Sequence, residues 1–293
     1  MSDGNVVVFT DSKRPPDEEY DDLVEKGKLP ATTLDLPKTH ISVTQVHLYQ
    51  NCPKAYYWRY VQDLIVPPAA RAIEGKAVHQ SLEKGHRERM SSGKMAPLEL
   101  LLEAHNDAWK DMKPEIETWD EDHDENSILK RARMFLTQYH TKHLPALKPV
   151  GVEKRFWWTV GQRHIPVLGF IDLILDKPKE AAEDPGNCPE VVDYKVVARS
   201  KSQADIDSDL QLTTYSRATG IPQVRFDQFV KTTSPTVKIL QSRRDVKSYR
   251  WAEAVFEGVA QAINTGVFPP CNTGSWICTE KWCGYWSRCR GGK

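Results

Sequence analysis

Two stretches, VLGFIDLILD (Val167–Asp176) and EVVDYKVV (Glu190–Val197), decide the reading of this chain. Both are short and rich in β-branched and large apolar residues, the composition of buried strands. In the first, alternation puts Leu168, Phe170, Asp172 and Ile174 on one face and Val167, Ile171, Leu173 and Leu175 on the other. Both faces are apolar, so Asp172 belongs to a central strand. A buried, unpaired carboxylate is expensive and acquires a partner, a proton or a metal. In the second stretch Val191, Asp193 and Lys195 share a face. Asp172 precedes them by one hairpin. Two carboxylates that converge cannot both stay ionised without a cation. A divalent ion with oxygen ligands, Mg²⁺ or Mn²⁺, resolves the conflict. Lys195 is then left to orient a water or to meet charge on a phosphate.

Outward from these strands, the pattern alternates between helix and sheet. Thr39–Leu64 reads as helical, with Ser42 as N-cap and Pro53 opening a second helix. Gly75–Met90, Pro97–Met112 and Ser127–Leu144 carry helical periodicity. From Val150 the chain turns strand-like. Gln203–Thr219 reads as one helix closed by Gly220, VRFDQFVKT and TVKILQSR as a strand pair, and Asp245–Thr265 as a last helix stopped by Gly266. The expected fold class is α/β: a mixed central β-sheet flanked by helices, resembling a restriction-endonuclease core. The expected organisation is a disordered acidic tail over 1–37 and one domain over 38–293. Within it lie a helical lobe at about 72–145, the α/β core at about 150–265 and a Cys-rich segment over 266–293.

The 293 residues are 40% hydrophobic and 27% charged, which fits a globular protein and excludes global disorder. A zero net charge hides an asymmetry. Residues 1–37 hold 4 Lys/Arg against 9 Asp/Glu, and the remainder holds 36 against 31. The tail therefore reads as a solvated leader, and the mildly basic body allows a nucleic-acid groove. There is no apolar run of membrane-spanning length and no secretory signal, so an intracellular, cytoplasmic protein is expected. Of six cysteines, four fall in the last 23 residues: Cys271, Cys278, Cys283 and Cys289. In such a compartment, clustered cysteines favour a metal or cluster site over disulfides, and Cys₄ zinc and iron–sulfur both suit thiolates.

The set Asp172 … Asp193-Tyr194-Lys195 resembles the PD-(D/E)XK nuclease superfamily. Gly169 three residues before Asp172, Gly75 and His79 in EGKAVHQ, and Gln211 and Tyr215 in QLTTY resemble its RecB-like branch. NCPKAYYWRY around Cys52, with Cys278-TEKW-Cys283-GYWSR-Cys289, resembles the iron–sulfur members, the CRISPR-adaptation and AddB-type repair nucleases. The resemblance spans about Ile41 to Arg290. It implies that His79, Asp172, Asp193 and the backbone carbonyl of Tyr194 hold Mg²⁺ or Mn²⁺, and that Lys195, Gln211 and Tyr215 act with them. It further implies a [4Fe–4S] cluster on Cys52, Cys278, Cys283 and Cys289, with structural Zn²⁺ as the alternative. Here the first two C-terminal cysteines are separated by four residues where the family has two, and Cys271 is an additional candidate. Cys188 reads as a free thiol in a hairpin loop. Glu153 reads either as an added acid of the metal shell or as a solvated face residue.

The resulting expectation is a metal-dependent DNA nuclease, an exonuclease acting on single strands or DNA ends. Tyr56, Trp58 and Arg59, with Gln211 and Tyr215, are the candidate DNA contacts, since aromatics interleaved with basic residues suit single strands. Tyr57 and Tyr60 read more readily as core. No helicase motif is present, so a helicase, recombinase or annealing partner would be a separate chain. The alternative is a non-catalytic nucleic-acid-binding protein that keeps the fold.

Overall fold

The computed structural model describes residues 5–119, 124–176 and 189–289. In chain order its main elements are β1 (Val7–Thr10), α1 (Pro16–Glu25), α2 (Val43–Asn51), α3 (Pro53–Tyr56), α4 (Ala70–Ser92), α5 (Leu98–Met112), α6 (Glu125–Lys142), β2 (Pro149–Val160), β3 (Ile165–Leu175), β4 (Glu190–Val197), α7 (Gln203–Asp207), α8 (Leu210–Thr219), β5 (Gln223–Val230), β6 (Thr236–Arg243), α9 (Val246–Asn264) and α10 (Trp286–Cys289). The strands form one mixed sheet of order β1-β2-β3-β4-β5-β6. β4 and β5 are parallel; β1–β2, β3–β4 and β5–β6 are antiparallel. Among the described residues no helix is long and apolar enough to cross a membrane. Cys188 and most of the loop around it lie outside the described residues.

The chain divides into two compact units. The first comprises Met1–Val66, Arg155–Gly169 and Lys247–Lys293. The acidic tail belongs to it and, from Asn5 onward, is folded, contrary to the expected disorder. Val7–Thr10 pairs with β2 in the register Val7↔Trp158. Pro16 opens α1, and Asp17, Glu18 and Glu19 in its first turn suit the positive helix end. Tyr20 and Leu23, one helical turn apart, pack with Leu29, Trp157 and Leu168. Glu19 is buried, and Arg155 compensates it at 2.6 Å. Charge counting concealed these few apolar anchors. α2 begins at Ser42, whose hydroxyl accepts from the Gln45 N–H. It ends where Cys52 turns extended and Pro53 starts α3. Beyond α3 the backbone widens into a π-helical turn over Tyr57–Val61. α9 packs through Ala252, Phe256, Val259, Ala260 and Ile263, with Phe256 edge-on to Trp158.

The second unit comprises Pro67–Lys154 and Phe170–Val246. Here α4, α5 and α6 do not form a lobe of their own: they share a core with the strands. Val78, Leu82, Leu101, Phe135, Leu136 and Tyr139 of these helices pack with Leu173, Val192, Tyr194 and Phe229. α4 and α5 approach closely at Gly85, where an added Cβ would lie 2.9 Å from Leu101 Cδ1. The single helix expected over Gln203–Thr219 is two. Ser202 and Asp205 form a capping box for α7, and Asp209 then caps α8 by accepting from the Leu212 N–H.

Candidate active site and thiol pocket

β3 and β4 pair through Leu173↔Val192, Ile174↔Val191 and Leu175↔Glu190. Continuing that register brings Asp172 opposite Asp193, on one face of the sheet. At this rung the Tyr194 N–H donates to Asp172 Oδ2 at 2.8 Å. α4 adds His79, whose Nδ1 is 3.3 Å from the same oxygen. β2 adds Glu153, held at a positive φ of 48°, a conformation uncommon outside glycine. Ligand atoms of His79, Glu153 and Asp172 all lie within 4.8 Å of one another. Glu153, left open between two readings in sequence, is thus drawn into the acid cluster. No strand periodicity could have found it, because the left-handed residue breaks the alternation.

Asp193 is turned toward the lysine. It is 1% exposed, and Lys195 Nζ sits 2.6 Å from its Oδ2. Neither Asp193 oxygen accepts a hydrogen bond of good geometry. Lys195 Nζ also donates to Gln211 Oε1 at 2.8 Å, and Gln211 Nε2 donates to the Tyr215 hydroxyl at 2.7 Å. The one-turn spacing of Gln211 and Tyr215 on α8 therefore serves to hold the lysine.

The electrostatics follow from crowding under low solvation. Burial, with the charges of Asp172 and Glu83, pushes the Glu153 carboxyl up to about 8. Burial also raises Asp193, to about 7; Lys195 opposes the rise and Asp172 adds to it. Burial would raise Asp172 too, but the charge and hydrogen bond of His79, then Lys195 and the Tyr194 N–H, outweigh it and hold the carboxyl low. Burial disfavours the imidazolium of His79, yet Asp172 and Asp193 move its pKa upward. Lys195 is likewise raised, because Asp193 and Asp172 outweigh its desolvation. Three carboxylates share the site with one lysine and one imidazole, and two of them, Glu153 and Asp193, are held with raised pKa values. A divalent cation fits such a donor set of carboxylate oxygens and one imidazole.

Beneath the site lies a buried polar chain. The Tyr194 hydroxyl is 2.6 Å from His86 Nε2, and the Tyr139 hydroxyl donates to Asp227 Oδ2 at 2.6 Å. Arg225 grips Asp227 at 2.9 and 3.0 Å and reaches Glu190 at 3.0 Å. Arg225 and Asp227, two apart in the apolar stretch QVRFDQFV, were the available signal for it.

A sequence profile of the PD-(D/E)XK nuclease superfamily matches residues 40–290. The chain belongs to the PD-(D/E)XK nuclease superfamily. Among solved structures, a candidate exonuclease from Eubacterium rectale is 14% identical, covering 82% of this chain and 86% of its own at a TM-score of 0.50. That likeness shows the fold. The protein SSO0001 is 13% identical over 72% of this chain and 84% of its own, at a TM-score of 0.34. No curated protein sequence matches the chain.

This PD-(D/E)XK chain carries a second cluster of donors in its other unit. Cys52, Cys271, Cys278, Cys283 and Cys289 line one cavity of about 210 Å³, with Leu48 among its apolar walls. Burial and the neighbouring Cys52 and Cys278 thiols push Cys271 up to about 12. Burial also raises Cys283, with Cys52, Cys278 and Cys289 adding to it and the Tyr285 N–H opposing. The four cysteines named from sequence meet, and Cys271 joins them as a fifth.

The candidate DNA contacts divide. Tyr56 is 1% exposed, packed among Tyr49, Tyr60 and Phe268, with its hydroxyl toward Gln45. It is a core residue and offers no ring to a ligand, contrary to the sequence expectation. Trp58 is half-buried and Arg59 exposed. Lys54 Nζ stands 4.1 Å over Tyr57 and 4.9 Å over Trp58.

Proposed function

We propose that this protein is a metal-dependent deoxyribonuclease, an exonuclease acting on single strands or DNA ends. The observation that carries the reading is the convergence of His79, Glu153 and Asp172 within 4.8 Å, beside the buried Asp193–Lys195 pair. His79, Asp172 and Asp193, with Glu153 and the Tyr194 carbonyl, would hold Mg²⁺ or Mn²⁺. When bound, the cation supplies a lowered pKa for a coordinated water and offsets charge developing on the scissile phosphate. Lys195, fixed between Asp193 and Gln211, presents an ammonium to the attacking water or to a phosphate oxygen. Tyr215 fixes Gln211 in turn. The water oxygen bonds phosphorus, the bridging P–O bond breaks, and a proton passes to the leaving oxygen.

In the other unit, the thiol pocket supports a [4Fe–4S] cluster on Cys52, Cys278, Cys283 and Cys289 over a Cys₄ zinc. One ion needs little more room than a water, which occupies roughly 10–15 Å³ of such a volume. A pocket of about 210 Å³ ringed by five cysteines has room for a multi-atom inorganic core, and the resemblance to iron–sulfur members supports that occupant. The cluster would hold the Cys-rich segment to the start of α3. A DNA-unwinding, recombining or annealing partner would act as a separate chain.

The test uses end-labelled single-stranded and duplex DNA with EDTA, Mg²⁺ or Mn²⁺. Cation-dependent release of short products, lost in Asp172→Ala, is expected. DNA binding with no cleavage under any cation would overturn the catalytic reading.

A further inference from the structure

The Cys-rich segment carries two large aromatic side chains out toward water. Trp276 is 70% exposed and Trp282 44%. Leaving an indole in solvent forgoes the burial that normally draws large aromatics inward. The two rings meet edge to face, with centroids 5.8 Å apart and planes at 82°. Lys281 Nζ stands 5.8 Å over the Trp282 ring. Trp282 also lines the thiol cavity, so the cysteines that form that pocket fix its position too.

The surroundings narrow the ligand class. Along the segment that carries the indoles, Asn272, Thr273, Thr279, Glu280, Lys281 and Arg288 are exposed. The two tryptophans are thus flanked in the chain by exposed polar and basic residues and not by an apolar run, which suits a nucleic acid better than an apolar protein surface or a membrane. Lys281 and Arg288 outweigh Glu280 in charge, and Arg290 and Lys293 follow in sequence. Exposed π-faces with basic neighbours suit unstacked bases on a phosphate backbone. Two near-perpendicular rings cannot both lie against a stacked duplex face, but they can each take one splayed base.

We propose that Trp276 and Trp282 form a base-stacking anchor for single-stranded DNA, with Lys281 meeting a phosphate. The anchor is separate from the residues that cleave. It rests on the DNA nuclease reading and adds a binding site to it.

The experiment is titration of fluorescently labelled oligo-dT and of a blunt duplex, without added divalent cation, so that binding is read without cleavage. Trp276→Ala is the primary variant, because Trp276 does not line the thiol cavity. Its Kd for oligo-dT should rise on the order of 5- to 100-fold, with the duplex affected less. Trp276→Phe should retain most affinity, while Trp276→Leu should lose as much as alanine. Lys281→Ala should reduce the slope of log K against log salt by about 0.7, as expected for one single-strand phosphate contact. Circular dichroism and iron content confirm that each variant is folded. Wild-type protein that binds and cleaves DNA, with Trp276→Ala binding within twofold of it, sinks the anchor and leaves the nuclease standing. Retained affinity in Trp276→Leu also sinks it, since stacking would then play no part. Wild-type protein that neither binds nor cleaves any DNA under Mn²⁺ ends both readings.

Discussion

Glu153→Gln separates a metal-binding carboxylate from a merely structural one, because the two roles predict opposite changes in stability. In the metal-free protein the Glu153 carboxyl is pushed from 4.5 up to about 8, by burial and then by Asp172 and Glu83. A raised carboxyl favours folding fully below pH 4.5 and loses that benefit progressively as pH rises through 8. Fully expressed, a displacement of that size is worth on the order of 5 kcal/mol. The side chain is only partly shielded, so solvent screening brings this to about 2 kcal/mol. Glutamine keeps the shape and removes the charge. In EDTA at pH 8.5, Glu153→Gln should therefore melt higher than wild type, by roughly 5 °C at about 2–4 °C per kcal/mol. At pH 5 the gap should nearly close. Excess Mn²⁺ should invert the order: at about 100 times Kd, wild type would gain roughly 2.7 kcal/mol, and the variant, lacking a ligand, much less. Differential scanning fluorimetry at the two pH values, with and without Mn²⁺, reads all of this. A variant that melts lower than wild type in EDTA at pH 8.5, or that gains as much from Mn²⁺, would refute the reasoning.

Asp172→Ala, Asp193→Ala and Lys195→Ala should each reduce cleavage on the order of 100- to 1,000-fold, roughly the loss of a main transition-state contact, with DNA binding retained by anisotropy. Activity within tenfold of wild type in any one would remove that residue from the proposed machinery. Cys52→Ser should lose iron and visible colour near ~400 nm and lower Tm; colourless wild-type protein with one zinc per chain would replace iron and keep the staple. Tyr194→Phe strips the hydroxyl that meets His86 Nε2 at 2.6 Å and should cost about 1–3 kcal/mol in denaturant unfolding. Gly169→Ala would set a Cβ 2.4 Å from the Phe156 ring and should cost about 1–3 kcal/mol; Phe156→Leu in the same chain should recover part of that.

Much of the fold was legible because its strands are apolar on both faces and its helices carry ordinary caps. Ser42, Pro53, Gly220 and Gly266 mark boundaries in the sequence that the backbone keeps within a residue or two. Errors fell where a local signal was outvoted. Asp209 splits one expected helix, since its carboxylate caps α8 after Ser202 and Asp205 have already closed a capping box around α7. At the N-terminus, nine acids suggested a solvated tail, while Val7–Thr10 pairs with β2 and Tyr20, Leu23 and Leu29 carry the burial. Average charge weighs every residue alike, and folding does not.

Asp172, Asp193 and Lys195 were visible for the opposite reason: each is a charge where a strand should be apolar. Glu153 stayed open between a metal-shell acid and a solvated face residue, because Lys154 and Arg155 beside it suit a surface and its left-handed backbone shifts the alternation. Cys271, seven residues before Cys278, was an additional candidate in the sequence, and spacing alone did not rank it against the other four. Yet the two clusters share a physical logic. Burial first, and like neighbours second, raise Glu153 and Asp193 in one unit and Cys271 and Cys283 in the other. Such crowding is a liability for a bare chain and a favourable arrangement around a cation. The same argument explains why Lys195 alone does not suffice. It offsets Asp193 at 2.6 Å and leaves Glu153 protonated up to about 8. One further positive centre, reached by His79, Glu153 and Asp172 together, would relieve the crowding of the carboxylate face.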